Sequence, residues 1–456
     1  MARKVFISFL GFSNYRECMY GKDNFCSSNV RFIQEATLDY LQTLGEWTAN
    51  DVAYILLTEG AKAKNWVDNG HRNPKTNEII KQVGLETSLK QKNYPFQIKT
   101  IEQLPDGKNE EELFDLFRRI YEVIQPGDSF YFDITHGFRS LPMLALVLIN
   151  YAKFLKNIEV KSITYGNFEA REELHDADGN ICLKAPIIDL LPLSGIQDWT
   201  FAAADYLKNG NAEKFKQLVT AHKTAICRGL ISGNKEEAKK INDLANSLQR
   251  VTNDLQTCRG KEILETSNFM LLRKNIEEVG KAVVEPLNPI IKKLDDAFSV
   301  FSTNEEKESS YHFINGMEAT KWCIQHGLYQ QAATILQENV VSFFCNRHGL
   351  NIFDKDDREN VNTVFAFVKK LSSDDVKEKE KNVILKKIER DIIYKSLFED
   401  LLLSEHHVVN AFSMLTDERN DINHSGMRSD PHSTETIRTN IYNAYNILTE
   451  HLGTRK

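Results

Sequence analysis

Arg419 and His424, near the C-terminal end of this 456-residue chain, are a permanent cation and an acid–base residue with four residues between them. Such a histidine can take the proton from a ribose 2′-hydroxyl or give one to the leaving 5′-oxygen. The arginine can hold the phosphate and the charge that builds on it. Because the 2′-hydroxyl supplies the nucleophile, this chemistry needs neither a metal nor a covalent enzyme intermediate. The alternative is that the pair, which follows Asp417 and Glu418, marks a solvated helix end.

The spacing of this pair limits how one chain can use it. Five residues correspond to about 140° around a regular helix and about 7.5 Å along it. One helix therefore cannot easily aim Arg419 and His424 at the same atom. Two copies that face each other across a dimer axis could build one composite cleft.

The second stretch with chemical character is residues 130–142, FYFDITHGFRSLP. Its aromatic and β-branched beginning predicts a buried strand. Ser140 can cap the next helix, and Pro142 suits the first turn of that helix. Between them, residues 135–139 offer a hydroxyl, an imidazole, a flexible glycine and a guanidinium. Since loops at the carboxyl ends of strands and helix N-termini bind phosphates, the stretch predicts a phosphate-ligand site; the alternative is an ordinary strand–helix turn.

The elements that would position this second stretch alternate between strands and helices. Residues 68–93 are polar and are interpreted as an insertion, and residues 170–190 as a hairpin that turns at 176–179. Neither G-x-G-x-x-G nor a Walker A motif is present. The pattern predicts a doubly wound, Rossmann-like α/β sheet in which the loops after the first and fourth strands could meet at one crevice. The predicted strands are residues 4–10, 51–58, 94–102, 130–134 and 160–165, and the predicted helices are 29–44 (with Asn29 as cap), 110–124 and 141–155.

The elements that would position Arg419 and His424 are helices. Strand signals vanish after residues 191–195, which we take as the domain boundary, so residues 1–193 and 194–456 are the predicted domains. Trp322, Cys323 and Cys345 are expected in a helix core. His406 and His407 lack partners at metal-ligand spacing and are expected on the surface. Helices are predicted at residues 199–207, 212–227, 235–255, 263–284, 329–344, 392–416 and 434–452, and charged loops or exposed helix turns at 355–359 and 372–381.

Composition excludes several classes of function. A net charge of −7 argues against coating nucleic acid through a basic surface, so any RNA contact should be a local cleft. Seven cysteines without a C-x-x-C pair favour a reducing cytoplasm over a zinc knuckle or a disulfide scaffold. The N-terminus lacks a signal-peptide pattern, and the longest apolar run, residues 141–149, is too short to span a bilayer. The sequence therefore predicts a cytoplasmic protein without membrane contact.

Four stretches together resemble the CRISPR-associated accessory ribonucleases of type III systems, which join an N-terminal CARF domain to a C-terminal HEPN domain. The most specific stretch is residues 133–142, DITHGFRSLP, and Asn420 matches the polar residue that follows the HEPN arginine. Residues 68–93 and 235–300 carry no motif that we can place. The other three stretches are residues 8–11 with 15–20, residues 327–332 and residues 419–424.

The resemblance implies a Rossmann-like CARF sensor followed by an all-α HEPN-type domain, assembled as a homodimer. It implies activation by a cyclic oligoadenylate, preferably the cyclic tetra-adenylate and second the hexa-adenylate, with no cofactor and no metal. It implies cleavage of single-stranded RNA by Arg419, Asn420 and His424, and a functional link to the type III CRISPR complex without stable binding. The ligand-binding residues would be Gly11, Phe12, Ser13, Asn14, Thr135, His136, Gly137, Phe138, Arg139 and Ser140.

Two other functions remain open from the sequence. The chain could be a CARF sensor whose helical half is only a dimerisation or DNA-binding scaffold, although the Arg419/His424 pair and the lack of a basic recognition helix argue against it. It could also be a ring nuclease that degrades the cyclic oligoadenylate in the sensor pocket.

Overall fold

The computed structural model describes residues 2–137, 140–175, 181–227, 235–265, 267–280, 288–301, 313–403 and 405–453. The chain divides into two compact units, Met1–Gln197 and Asp198–Lys456. This division lies four residues after the predicted one at residue 193. The first unit is a mixed α/β domain and the second is helical, which confirms the predicted order of fold classes.

Unit 1 is built on one sheet with the strand order β3-β2-β9-β7-β6-β1-β4-β5, and β8 pairs with β9. The central strand β1 lies between β4 and β6 and is parallel to both. Pairing continues in parallel from β6 to β7 and from β4 to β5. The strands are β1 (Lys4–Phe9), β2 (Met19–Lys22), β3 (Phe25–Cys26), β4 (Val52–Thr58), β5 (Gln97–Leu104), β6 (Ser129–Asp133), β7 (Glu159–Gly166), β8 (Glu172–His175) and β9 (Ile181–Asp189).

Helices cover both faces of this sheet, which is why its central strands are apolar on both sides. On β1, Phe6 faces one core and Ile7 the other, and both are fully buried. The Phe6 core includes residues of α1 and α3, while the Ile7 core includes residues of α4 and α5. The helices of unit 1 are α1 (Ile33–Thr43), α2 (Glu59–Ala61), α3 (Leu85–Lys92), α4 (Glu110–Val123) and α5 (Leu141–Lys156), with a π-helical turn at Lys62–Trp66.

Among the local predictions in unit 1, some are confirmed, some are wrong, and one lies outside the described residues. Helix α1 begins at Ile33 because β2, β3 and a loop precede it, and the Asn29 side chain donates to Glu17 instead of capping the helix. Ser140 makes no capping hydrogen bond, whereas Pro142 lies in the first turn of α5 as predicted. The polar segment 68–93 contains α3, whose Leu89 is buried in the core. Strands β8 and β9 pair antiparallel as predicted, but the predicted turn at 176–179 lies outside the described residues.

The predicted boundary segment, residues 191–195, is the first part of helix α6. The Leu191 N–H donates to the Asp189 carboxylate at 3.0 Å, and Pro192 lies in the first turn, where a missing N–H is tolerated. Proline therefore marks a helix start here instead of a linker. The following helices are α6 (Leu191–Asn209), α7 (Glu213–Cys227), α8 (Lys235–Gln256), α9 (Gly260–Leu264), α10 (Ser267–Gly280), α11 (Asn288–Phe298), α12 (Phe313–Gln325), α13 (Tyr329–Arg347), α14 (Lys355–Leu371), α15 (Glu378–Arg390), α16 (Ile392–Leu403), α17 (Glu405–Asn423) and α18 (Thr434–Gly453).

Helix α13 lies at the centre of unit 2, with eleven buried residues, and packs against α12, α14, α17 and α18. Trp322, Cys323 and Cys345 are buried in this core, as predicted. The segments predicted as charged loops or exposed helix turns are confirmed: residues 355–359 are the largely exposed first turn of α14, and residues 372–381 are a loop followed by the start of α15. The single helix predicted at 263–284 is two helices, α9 and α10, because Glu265 has extended backbone after α9. The helix predicted at 392–416 is described as α16 and α17, on either side of residue 404, which lies outside the described residues.

Candidate functional site

The first candidate site lies at the carboxyl edge of the sheet, where β1 and β6 are neighbours and end side by side. The loops that follow them meet, because the Tyr15 ring stacks on the His136 ring with centroids 4.3 Å apart and planes 20° apart. Gly11 lies beneath this pair, and a Cβ atom there would fall 1.8 Å from the Tyr15 hydroxyl. The structure therefore brings together the two predicted ligand loops, residues 11–14 and 135–137.

A buried carboxylate fixes the second of these loops. Asp133 accepts hydrogen bonds from the Ser8 hydroxyl at 2.7 Å and from the Thr135 hydroxyl. The Thr135 oxygen in turn accepts the Gly166 N–H at 2.8 Å. Asp133 is fully buried, and this loss of hydration raises the pKa of its carboxyl to about 6. The Thr135 hydroxyl thus positions the loop through both its donor and its acceptor.

A buried amide fixes the first loop. The Asn65 side chain donates to the carbonyls of Gly11 at 2.9 Å and Ser13 at 2.8 Å. Its oxygen accepts from Arg31 at 2.7 Å and contacts the His71 imidazole at 2.9 Å. The sequence analysis missed Asn65, which lies in the π-helical turn after β4. One signal could have identified it, namely its place in the chain. Asn65 follows β4, which pairs in parallel with β1, so both strands end at the same edge of the sheet.

The remaining predicted ligand residues differ in exposure. Phe12 is 64% exposed, and Ser13, Asn14 and Gly137 are also exposed. His136 and Ser140 are half-buried. Desolvation lowers the pKa of His136 to about 4, so its imidazole is neutral near pH 7. The two remaining predicted residues, Phe138 and Arg139, lie outside the described residues.

The second candidate site is the C-terminal end of α17. Asn420 lies in the last turn of this helix, Arg419 directly precedes that turn, and His424 follows the final residue of the helix. The His424 N–H still donates to the Asn420 carbonyl at 3.0 Å. Left-handed backbone at Ser425 (φ 56°) and Gly426 (φ 66°) then turns the chain away. His424 is exposed, and in the described part of the chain its imidazole has no hydrogen-bond partner.

Arg419 points away from His424 toward α13. Its Nη1 donates to Gln337 Oε1 at 3.0 Å and lies 3.5 Å from Glu338 Oε1. Glu338 also accepts from Arg358 Nη2 at 2.6 Å, so one carboxylate lies between two guanidinium groups. The structure thus places Arg419 and His424 on one helix end, with their side chains in different surroundings. The sequence analysis did not identify Gln337, Glu338 or Arg358, because these contacts join distant parts of the chain.

Two comparisons with known proteins bear on this chain. Residues 5–169 match the family model described as CRISPR system endoribonuclease Csx1, CARF domain. Unit 1 contains a CARF domain. The CRISPR-associated protein MJ1674 of Methanocaldococcus jannaschii is 25% identical over 246 residues, which are 52% of this chain and 32% of that protein. The chain thus spans about a third of the length of this relative. Together the two matches support the recognition of this chain as a type III CRISPR accessory protein with a CARF domain.

The CARF match includes both loops of the first site and ends before the second. Tyr15, Asn65, Asp133 and His136 all lie within residues 5–169. Arg419 and His424 lie outside that range, so their assignment depends on their own sequence pattern and surroundings.

The surroundings of the helix end correct one expectation. The alternative left open by the sequence was a solvated helix end, but Glu418 is fully buried and Asp421 is 2% exposed. Glu418 lies on the apolar stripe of α17, at helical spacing after the buried Ala411 and Leu415, and this spacing could have revealed its burial. His406 and His407 are exposed, as predicted.

A cavity of about 330 Å³ lies beside the residues that hold Arg419. Glu338 and Arg358 form part of its wall, and the exposed Phe353 ring lies in the same wall, with Lys261 Nζ 5.6 Å from the ring centroid. An aromatic face next to cationic groups is the kind of surface on which a nucleobase stacks while its phosphate is held.

One group of described residues has metal-ligand character. Single donor atoms of Glu418, Asp421 and His432 lie within 4.8 Å of one another. The sequence analysis found no such cluster, because His432 approaches the helix only through the fold of the segment between α17 and α18.

Proposed function

We propose that this chain is an endoribonuclease that a cyclic oligoadenylate activates in type III CRISPR defence. The CARF domain would bind the ring, and the helical unit, as a HEPN-type domain, would cleave single-stranded RNA. The observation that carries this proposal is the presence in one chain of a CARF domain and of an exposed His424 beside Arg419 at a helix end.

In this reaction His424 would move the proton of the ribose 2′-hydroxyl or protonate the leaving 5′-oxygen, as its exposure to solvent and substrate allows. Arg419 would hold the phosphate. Since Arg419 now contacts Gln337 and Glu338, RNA binding must exchange the Glu338 carboxylate for the RNA phosphate. Asn420 is assigned to the site through its position in the motif. The products would carry a 2′,3′-cyclic phosphate.

The activator site would be the crevice between the two CARF loops. Their exposed backbone and the Phe12 ring could contact phosphate and adenine, respectively. Because His136 is neutral near pH 7, positive charge for the phosphates would come from Arg139. We propose the cyclic tetra-adenylate as the preferred ring and the hexa-adenylate as the second.

A homodimer would place two copies of this crevice around one ring. Helix α5, which begins directly after the second ligand loop, carries large exposed apolar side chains at helical spacing, with Phe154 83% exposed. An apolar helix face of this kind is typical of a surface that a partner covers. We propose a second copy of this chain as that partner. The other members of the face are Met143, Val147 and Tyr151.

The ring and the RNA would act on different units, which makes the activation allosteric. The predicted ring residues all lie in Met1–Gln197, and Arg419 and His424 lie in Asp198–Lys456. Ring binding can raise cleavage only by favouring one conformation of the protein over another. We propose that the type III complex acts through its diffusible product and does not form a stable complex with this chain.

The compartment we propose is the reducing cytoplasm. The structure describes the side chains of six of the seven cysteines, and all six are free thiols. Among the described helices, none has the length and apolar character that crossing a bilayer requires.

The proposed function is tested by incubating purified protein with the cyclic tetra-adenylate and a labelled RNA, then following both by chromatography. Ring-dependent RNA cleavage that persists in EDTA is expected. Loss of the ring without RNA cleavage would identify a ring nuclease. Ring binding with both molecules intact would identify a sensor scaffold.

A further inference from the structure

Glu418, Asp421 and His432 form a polar cluster that the proposed reaction does not use. Glu418 and Asp421 are three residues apart on α17 and therefore lie on the same side of the helix. His432 comes from the segment that precedes α18 and lies over them, and it is partly exposed. One donor atom of each residue lies within 4.8 Å of the other two.

Each carboxylate of this cluster has one oxygen in use and one without a partner. Glu418 Oε1 accepts from His432 Nδ1 at 2.7 Å and from Asn440 Nδ2 at 2.6 Å. Asp421 Oδ2 accepts the His432 N–H at 2.7 Å. Glu418 Oε2 and Asp421 Oδ1 are buried and have no hydrogen-bond partner among the described residues. A buried carboxylate oxygen without a donor is strongly unfavourable, so both oxygens point to a missing ligand.

The charge of the cluster indicates a cation. Two buried carboxylates lie together, and Asp417 adds a third with its Oδ2 3.9 Å from His432 Nε2. The nearby Arg428 donates to Asp417 at 3.1 Å. In the described part of the chain, no arginine or lysine nitrogen lies within 4 Å of the Glu418 or Asp421 carboxylate. Buried carboxylates are normally paired or bound to metal.

We propose that Glu418, Asp421 and His432 bind one divalent transition-metal ion, Zn²⁺ or Mn²⁺. Two carboxylate oxygens and an imidazole nitrogen suit these ions. Ligands about 2.1 Å from a metal lie about 3.0–3.4 Å from each other, close to the present 2.7 Å between His432 Nδ1 and Glu418 Oε1. The ion would therefore take the place of the proton between these atoms. That proton would move to Nε2 of a neutral His432, or leave to solvent from an imidazolium, and the imidazole would need only a small movement.

The expected role of this ion is to position a segment. Residues 424–433 begin with His424 and end next to His432, and the ion would tie the far end of this segment to α17. Binding itself does not depend on the proposed ribonuclease activity. The ion would take no part in the cleavage step, so EDTA should lower thermal stability while the His424 chemistry persists below the melting temperature.

The test uses full-length protein made metal-free by dialysis against EDTA, and it has two readouts without RNA. Calorimetric titration with Zn²⁺, repeated with Mn²⁺, should give one site per chain, and saturating metal should raise the melting temperature. Asp421→Asn should weaken binding at least about 10-fold. His407→Ala is the matched control, because the exposed His407 ring stacks on the half-buried His451 ring and the pair offers a competing zinc site.

Absence of metal uptake by the wild-type protein would overturn the proposal and would leave a shared proton as the occupant. Loss of binding in His407→Ala but not in Asp421→Asn would also overturn it. If Asp421→Asn does not fold, anomalous diffraction at the zinc edge, measured on wild-type crystals grown with Zn²⁺, locates the bound ion. A peak between Glu418 and His432 supports the site, and a peak only elsewhere refutes it.

Discussion

The two candidate sites are held in opposite ways. At the CARF crevice, buried polar side chains such as Asp133 and Asn65 fix the loops from beneath. At the helix end, His424 is exposed and Arg419 is held by residues of another helix. The first site is thus pre-organised, while the second must exchange contacts before it can act. This difference suits a sensor that binds a preformed ring and an effector that stays inactive until its conformation changes.

Substitution of His424 is the strongest way to separate the two sites. His424→Ala should reduce RNA cleavage by at least about 10²-fold, because the general acid–base group is lost. Ring binding, measured by calorimetry, should be unchanged because the predicted crevice lies in the other unit. His407→Ala, another exposed histidine of α17, should cleave RNA like the wild type. Wild-type cleavage by His424→Ala would show that the helix end is not the reaction centre.

An experiment with mixed variants tests whether Arg419 and His424 act together within one chain or across two chains of a dimer. If Arg419 of one chain acts with His424 of its partner, dimers of Arg419→Ala and His424→Ala chains contain one intact site. Random mixing should then recover about a quarter of wild-type cleavage, because half of the dimers carry one of two sites. No recovery, with subunit exchange confirmed by mass spectrometry, would place both residues in the same chain.

Arg139 is the matching test for the crevice. If Arg139 binds the ring phosphates as proposed, its loss removes a charge-assisted contact, usually worth about 1.5–3 kcal/mol, or roughly 10- to 150-fold in affinity. Arg139→Ala should therefore need more ring for half-maximal activation and reach the same cleavage rate at saturation. Arg171→Ala, in the same unit, is the control. An activation curve for Arg139→Ala that overlays the wild type would exclude this side chain from ring binding.

Asp133 tests whether the crevice is pre-organised by a buried carboxyl. Its pKa is raised from 3.8 to about 6 in the folded protein, so the protonated form is the one that folding favours. Relative to Asp133→Asn, the wild type should be most stable below about pH 4 and should lose this advantage as the pH rises to about 6. The full change corresponds to about 3 kcal/mol, at about 1.4 kcal/mol for each pKa unit.

Melting temperatures of wild type and Asp133→Asn between pH 4 and pH 8 measure this difference. Glu173→Gln, an exposed acid of the same unit, should show no such trend. A difference between wild type and Asp133→Asn that stays constant over this range would contradict the raised pKa.

What the sequence could predict differs between the two sites for physical reasons. The apolar runs of β1 and β6 determine a buried parallel pair, so the meeting of their loops was predictable. The role of Asn65 was not predictable, because its hydrogen bonds to Gly11 and Ser13 join segments that are far apart in the sequence, and no local pattern encodes them. At the helix end, spacing located Arg419 and His424. The burial of Glu418 was missed because a single acidic residue within an apolar stripe resembles a solvated position.

Glu338 offers the finest test of the proposed exchange at the helix end. Its carboxylate lies 3.5 Å from Arg419 Nη1 and competes with an RNA phosphate for that guanidinium. Partly exposed ion pairs contribute about 0–1 kcal/mol, so Glu338→Gln should tighten RNA binding by at most about 5-fold. A lower KM with a nearly unchanged kcat is expected, and Glu389→Gln, an exposed acid on α15, should change neither. A higher KM for Glu338→Gln would instead mean that Glu338 holds Arg419 in its working position, and the helix end would then be as pre-organised as the CARF crevice.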